Sequence, residues 1–153
     1  MNLKKLITAI FIPLAVGGLL AYLTRNSMAE FDTIVKSPLS PPGWLFPIVW
    51  TILFVLMGIA SYFVATSNKP YKSATALKFY GLQLIFNFFW SIIFFGLDAY
   101  LFAFIWIIIL LLLIIITTIL FYSIDKRAGL LMIPYILWVA FATYLNFAIF
   151  LLN

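Results

Sequence analysis

Cysteine and histidine are both absent from the 153 residues, and Asp and Glu together number only four. Without cysteine there is no disulfide, no thiolate nucleophile and no Cys-based metal site. Without histidine the chain lacks the commonest general base and the commonest metal ligand. A redox haem is poorly served too, because its iron usually takes His or Cys, with Met or Tyr as second choices. No Gly-rich phosphate loop is present, which excludes nucleotide hydrolysis by this chain alone. Charged residues make up 8% of the sequence, against about 25% in a soluble domain. Such a chain cannot cover its own surface for water. The net charge of +5 comes from basic residues scattered over short loops. They form no patch interleaved with aromatics, so nucleic acid is not an expected partner.

What the sequence does have is apolar length: 67% of its residues are hydrophobic. A helical span needs about 20 mostly apolar residues at a rise of about 1.5 Å each. Five stretches qualify, at residues 6–23, 46–66, 77–95, 100–123 and 129–152. They predict an all-α integral membrane bundle of five transmembrane helices in a lipid bilayer, forming one domain over 1–153. None of the five contains Asp, Glu or Arg. Lys78 sits at the edge of the third, where its stem can snorkel to the interface. With no ionisable group at mid-membrane, proton relays and voltage sensing are excluded. An odd number of spans and the absence of an internal repeat argue against a paired inverted-repeat transporter.

The first span has a basic start, Lys4-Lys5, and is followed by Ser27-Met28-Ala29, which resembles a signal cleavage site. Its 18 apolar residues exceed the usual signal core of about 7–15, and Arg25 lies between core and site, so it is expected to persist as a membrane helix. Seven basic residues fall on the amino-terminal side of the bundle: Lys4, Lys5, Lys69, Lys72, Lys78, Lys126 and Arg127. The other side has two, Arg25 and Lys36. For a plasma membrane, the positive-inside rule then places the amino terminus in the cytoplasm and the carboxyl terminus outside, whereas an organelle membrane could read differently. The connection over 24–43, with Glu30, Asp32, Lys36 and the run Ser37-Pro38-Leu39-Ser40-Pro41-Pro42-Gly43-Trp44, is long for a helix pair. It is either a solvated loop or a lid folded over the bundle.

Polar and aromatic residues recur at helical spacing on four of the spans. Gln83, Asn87 and Ser91 repeat every four residues and share a face with Trp90. Tyr135, Trp138, Ala142 and Asn146 share another. Trp50, Phe54, Met57, Gly58 and Ser61 form a third. Pro13, Gly17, Gly18 and Ala21 form a fourth, whose Gly17/Ala21 pair has the small-xxx-small spacing of close helix packing. An unpaired amide in hydrocarbon costs several kcal/mol, so the amide faces should turn inward. They then either bond between helices or line a ligand cavity. Trp44 and Trp106, near span ends, read as members of the interfacial belt. Trp50, Trp90 and Trp138 lie deeper beside small or amide residues, which suits an aromatic-walled cavity for a planar apolar ligand. The fourth span, aliphatic all round, adds only lipid contact and packing.

These residues together resemble the translocator protein family, also called tryptophan-rich sensory proteins or peripheral benzodiazepine receptors. The resemblance covers nearly the whole chain. It rests on Pro13 with Gly17-Gly18, on Pro41-Pro42-Gly43-Trp44, and on Pro47-Ile48-Val49-Trp50-Thr51-Ile52-Leu53. It continues through Met57-Gly58, Ser61-Tyr62, Gln83-Leu84, Asn87, Trp90 and Phe94-Phe95-Gly96, and ends on Pro134-Tyr135, Trp138, Phe141 and Leu145-Asn146. It implies a five-helix bundle, often a homodimer, with a pocket inside each bundle for porphyrins such as protoporphyrin IX and for benzodiazepine-type ligands. Light-dependent porphyrin breakdown, porphyrin transport, and tetrapyrrole or stress-responsive sensing are the activities it brings with it. Porphyrin would be ligand or substrate, with no cofactor required and no metal site.

By matching position, the resemblance puts ligand contacts at Trp50, Asn87, Trp90, Trp138 and Ala142. The shared faces add Phe54, Gln83, Ser91, Tyr135 and Asn146 as binding candidates. Trp50 and Trp138 are the catalytic candidates, because indole is electron-rich and stacks on flat rings. Two departures stand out. The family's Leu-Asn-Tyr segment with a following Arg, read as a sterol motif, is here Leu145-Asn146-Phe147-Ala148-Ile149-Phe150-Leu151, so no specific sterol site is expected. The residues before Pro41-Pro42 are Leu39 and Ser40, where the family has an aromatic.

Overall fold

A computed structural model describes residues 1–27 and 31–153. Met28, Ala29 and Glu30, which belong to the cleavage-like site and the first connection, lie outside the described residues. Five long helices follow one another. They are α1 (Leu3–Leu23), α2 (Leu45–Ala65), α3 (Pro70–Ser91), α4 (Tyr100–Ile124) and α5 (Lys126–Leu152). Each is long and apolar enough to cross a membrane, and no strand occurs among the described residues. At 21 residues, α1 and α2 are about 32 Å long, matching a hydrocarbon core of about 30 Å.

Local chemistry sets the helix ends. The Asn2 side chain caps α1 by accepting from the Lys5 N–H at 3.2 Å. Pro70 opens α3 where a backbone N–H would have no partner. Asp125 alone separates α4 from α5, and its carboxylate accepts from the Arg127 N–H at 2.9 Å. The Arg127 side chain grips the same carboxylate at 2.8 Å and holds its pKa below the ordinary carboxylate value. α3 begins seven residues before the apolar stretch that announced it. Its first two turns, with Lys72 and Ser73, extend past the hydrocarbon.

The helices close a ring in the order α1, α2, α5, α4, α3 and back to α1. The α4–α5 contact is the most extensive, and α3 meets α1 and α2 more lightly. Backbones approach closely between α1 and α2. A Cβ built on Gly58 would stand 2.7 Å from the Ile10 Cα and 2.8 Å from the Ala9 carbonyl oxygen. Contacts across the bundle show which ends lie together. The Asn2 N–H donates to the Tyr62 hydroxyl at 2.9 Å, and the Arg127 guanidinium lies 4.0 Å from the Phe63 ring centre. The opposite end carries the first connection, fastened to α5. Ser37 and Tyr144 share a hydrogen bond of 2.7 Å, and the Asn153 carboxamide clasps Val35 through both its backbone N–H and its carbonyl.

Trp44 is exposed at the start of α2, as an interfacial residue should be. Trp106 differs from its expected belt position. Its indole N–H donates to the Phe86 carbonyl at 2.8 Å and its ring packs edge-on against Phe86, so it ties α4 to α3.

Candidate functional site

A cavity of about 200 Å³ lies in the half of the bundle that carries the first connection. α2 contributes Phe46, Pro47, Trp50 and Phe54, and α5 contributes Trp138, Ala142, Leu145, Asn146 and Ile149. α1 supplies Gly17, Leu20, Ala21 and Thr24. Gly17 is required here, since a Cβ would come within 2.6 Å of the Phe54 ring. From α3 come Asn87, Trp90 and Ser91, followed by Phe94 and Phe95 in a π-helical turn over Ile92–Gly96. The extra residue of a π turn shifts the helical register, as is frequent at functional sites. Here Trp90 stacks on Phe94 at 5.3 Å, and Phe95 stands edge-on to both. Phe31 and Ser40 from the connection complete the wall. Phe31 is buried against Phe46, Phe94 and Phe95. The Lys36 ammonium steadies that segment by donating to the Phe31 and Ile34 carbonyls.

Eight of the ten candidate residues line this cavity: Trp50, Phe54, Asn87, Trp90, Ser91, Trp138, Ala142 and Asn146. Gln83 and Tyr135 do not. Both are fully buried beneath it and bonded to each other. The Tyr135 hydroxyl donates to Gln83 Oε1 at 2.6 Å and accepts from Asn87 Nδ2 at 2.7 Å. Asn87 is thus both interhelical glue and a cavity wall. Its carboxamide spends a donor on Tyr135 and keeps its oxygen as an acceptor. Asn146 is committed on both sides, accepting from the Trp90 indole at 3.0 Å and donating to the Tyr100 carbonyl at 2.9 Å. Two fully buried side-chain polar atoms of the described lining residues have no hydrogen-bond partner: the Trp138 indole N–H and the Ser40 hydroxyl. A buried donor left unpaired costs about 1–3 kcal/mol, which a ligand acceptor would recover.

Among the described residues, the lining contains no Asp, Glu, Lys, Arg or His. No side chain in it can run ordinary acid–base chemistry. It offers apolar and aromatic area, two amides (Asn87 and Asn146), two hydroxyls besides that of Ser40 (Thr24 and Ser91), and three indoles.

The TspO/MBR family profile matches residues 9–152. The chain belongs to the TspO/MBR family. It is similar to the tryptophan-rich protein TspO of Archaeoglobus fulgidus, with 40% identity over 154 residues that cover 100% of this chain and 99% of the relative. The Chlorobaculum tepidum protein of the same name is 41% identical over 124 residues, covering 80% and 78% of the two chains. The human translocator protein is 32% identical over 130 residues, covering 84% and 77%. Together with the five apolar helices, membership of the TspO/MBR family makes this an integral membrane protein.

The sequence reading missed the phenylalanine side of the cavity. Phe46, Phe94 and Phe95 stood in the quoted motifs or beside them. Phe94 and Phe95 lie four residues after Trp90 and Ser91 and continue the same face, but they entered only through the family resemblance, as aromatics without a polar group to mark them. Ser40, noted only as a departure from the family's aromatic, carries one of the two unpartnered polar groups.

Proposed function

We propose that the cavity binds a planar, mostly apolar ligand of the porphyrin type, and that the bound porphyrin is degraded in light and oxygen with the help of Trp50 and Trp138. The observation that carries this reading is the set of three indoles, from Trp50, Trp90 and Trp138, around one apolar cavity with an unpartnered indole N–H. Flat ligands stack on such walls, and a ligand carbonyl, carboxylate or ring nitrogen would accept from Trp138. Benzodiazepine-type ligands fit the same description. Drug-sized ligands occupy about 300–1,000 Å³, more than the 200 Å³ present, so a whole macrocycle enters only when a wall moves. In the photochemical step the excited porphyrin supplies the energy and dioxygen the oxidant. The indoles supply an electron to the excited ring or trap the reactive oxygen formed beside it.

The deciding experiment is an absorbance time course of purified protein with protoporphyrin IX, in light and dark, with and without oxygen. Loss of porphyrin absorbance only with both light and oxygen is expected. The Trp50→Phe/Trp138→Phe double variant, which keeps ring area but is harder to oxidise, should bind porphyrin and lose the light-dependent decay. Equal decay at matched occupancy would leave the two residues as walls.

A second reading has its own support. Relatives carry the names translocator protein and, in Cereibacter sphaeroides, tryptophan-rich sensory protein. The connection that reaches the cavity through Phe31 and Ser40 is also bonded to α5 through Val35 and Ser37. A ligand that displaces this segment would change the outer surface, as a sensor or carrier requires without catalysis. Ligand-dependent protease protection of the segment, with no light-dependent turnover, would favour it. The proposed setting is a bacterial plasma membrane with the amino terminus in the cytoplasm. The proposed assembly is a homodimer, testable by light scattering of the purified protein in lipid nanodiscs.

A further inference from the structure

Outside the cavity, between α2 and α5, a groove of about 410 Å³ faces the lipid. Its walls are wholly apolar: Val49, Ile52, Leu53 and Leu56 on α2, and Pro134, Leu137, Trp138 and Phe141 on α5. Trp138 lines both, so its indole is the shared partition between the groove and the inner cavity.

Three observations make that partition movable. The indoles of Trp90 and Trp106 are each pinned by a hydrogen bond from the ring nitrogen, whereas that of Trp138 has none. Its ring neighbours, Phe46 at 5.8 Å and Phe141 at 5.9 Å, hold it by dispersion alone. Pro134, one turn earlier, removes the N–H that would bond to the Leu130 carbonyl and so loosens the helix at that point. On the opposite side, the described part of the connection is braced by directed bonds at Ser37–Tyr144 and Val35–Asn153 and by the buried Phe31.

We propose that the groove is the membrane-side antechamber of the cavity. A planar apolar ligand dissolved in the bilayer docks between α2 and α5 and passes inward when the Trp138 indole swings aside. The inference rests on the proposed ligand class but not on any photochemistry. Partition into the bilayer concentrates such a ligand beside this groove, whereas the route past the connection begins in water.

The test uses the full chain in lipid nanodiscs with protoporphyrin IX as probe, following its fluorescence in stopped flow. Ile52→Trp and Leu137→Trp, two separate variants at lipid-exposed positions of the groove, fill the antechamber without touching the cavity lining. Each should slow association and dissociation together, by about tenfold, while the equilibrium constant moves by less than about twofold. A Ser37→Ala/Asn153→Ala variant, which loosens the connection, should leave both rates unchanged. Unaltered rates in both groove variants, or faster exchange in the loosened one, would overturn the antechamber while sparing the binding site. Failure of the wild type to bind protoporphyrin IX would remove the ligand class itself, and the antechamber with it.

Discussion

At the scale of single residues, the inward faces were legible because an amide in hydrocarbon has few tolerable positions. Gln83, Asn87 and Asn146 all turned inward, where each has at least one partner, although Gln83 Nε2 has none among the described residues. What spacing could not give was the division of labour among them, because that depends on which side chains meet across helices. Gln83 and Asn87 meet at Tyr135, whose hydroxyl serves both. Tyr135→Phe therefore leaves the Gln83 oxygen and the Asn87 amide hydrogen unpaired at once. The expected loss is about 1–3 kcal/mol of stability, read by thermal unfolding in detergent. Porphyrin affinity should change little, since Tyr135 does not line the cavity. Asn87→Ala should lower both quantities: stability through the bond lost from Tyr135, and affinity by about 1–2 kcal/mol through the acceptor lost from the wall. A stable Asn87→Ala protein with unchanged affinity would show that the amide neither ties the helices nor meets the ligand.

At the scale of elements, hydropathy located all five helices but not their ends. It reads only the part immersed in hydrocarbon, whereas caps and prolines fix the termini in the interface. Thus α5 begins at Lys126, three residues ahead of its apolar stretch, because Asp125 caps it. Stability should be flat from neutral pH down to about 5, where the carboxylate stays ionised. The Arg127 partner depresses the folded-state pKa, so this contribution is present above the unfolded value of about 3.9 and is lost as pH falls through the lower folded one. Asp125→Asn keeps a capping side chain and should remove that part of the acid sensitivity, as acid titrations of thermal unfolding would show. Glycines divide just as sharply. A methyl at Gly58 collides with the backbone of α1, while one at Gly18 meets nothing within 4 Å. Gly58→Ala should cost about 1–3 kcal/mol through overpacking, with Gly18→Ala near neutral. Equal unfolding temperatures for the two variants would mean that α1 is not seated on α2 as described.

At the scale of the whole molecule, the sequence left the first connection open between solvated loop and lid. The choice depends on contacts far apart in the chain, Val35 with Asn153 and Ser37 with Tyr144, which no local pattern announces. The end-to-end distribution of charge, by contrast, was legible from counting alone. Contacts of Asn2 with Tyr62 and of Arg127 with Phe63 gather the amino terminus, the α2–α3 turn and the α4–α5 turn at one end. That end carries Lys4, Lys5, Lys69, Lys72, Lys78, Lys126 and Arg127, against Arg25 and Lys36 at the other. In the proposed orientation, with the excess of positive charge on the cytoplasmic side, the amino terminus is inside. That orientation would put the cavity, which lies toward the opposite end, in the outer half of the membrane. Because the chain has no native cysteine, single cysteines at Asn2 and at Asn153 can be labelled without background. An impermeant maleimide added to intact cells is expected to label Asn153→Cys and to spare Asn2→Cys until the membrane is opened. The reverse pattern would invert the molecule and place the cavity, with its Trp138 partition, on the cytoplasmic side. Labelling of both positions in intact cells would mean that the chain inserts in two orientations, and the charge count would then not determine its topology.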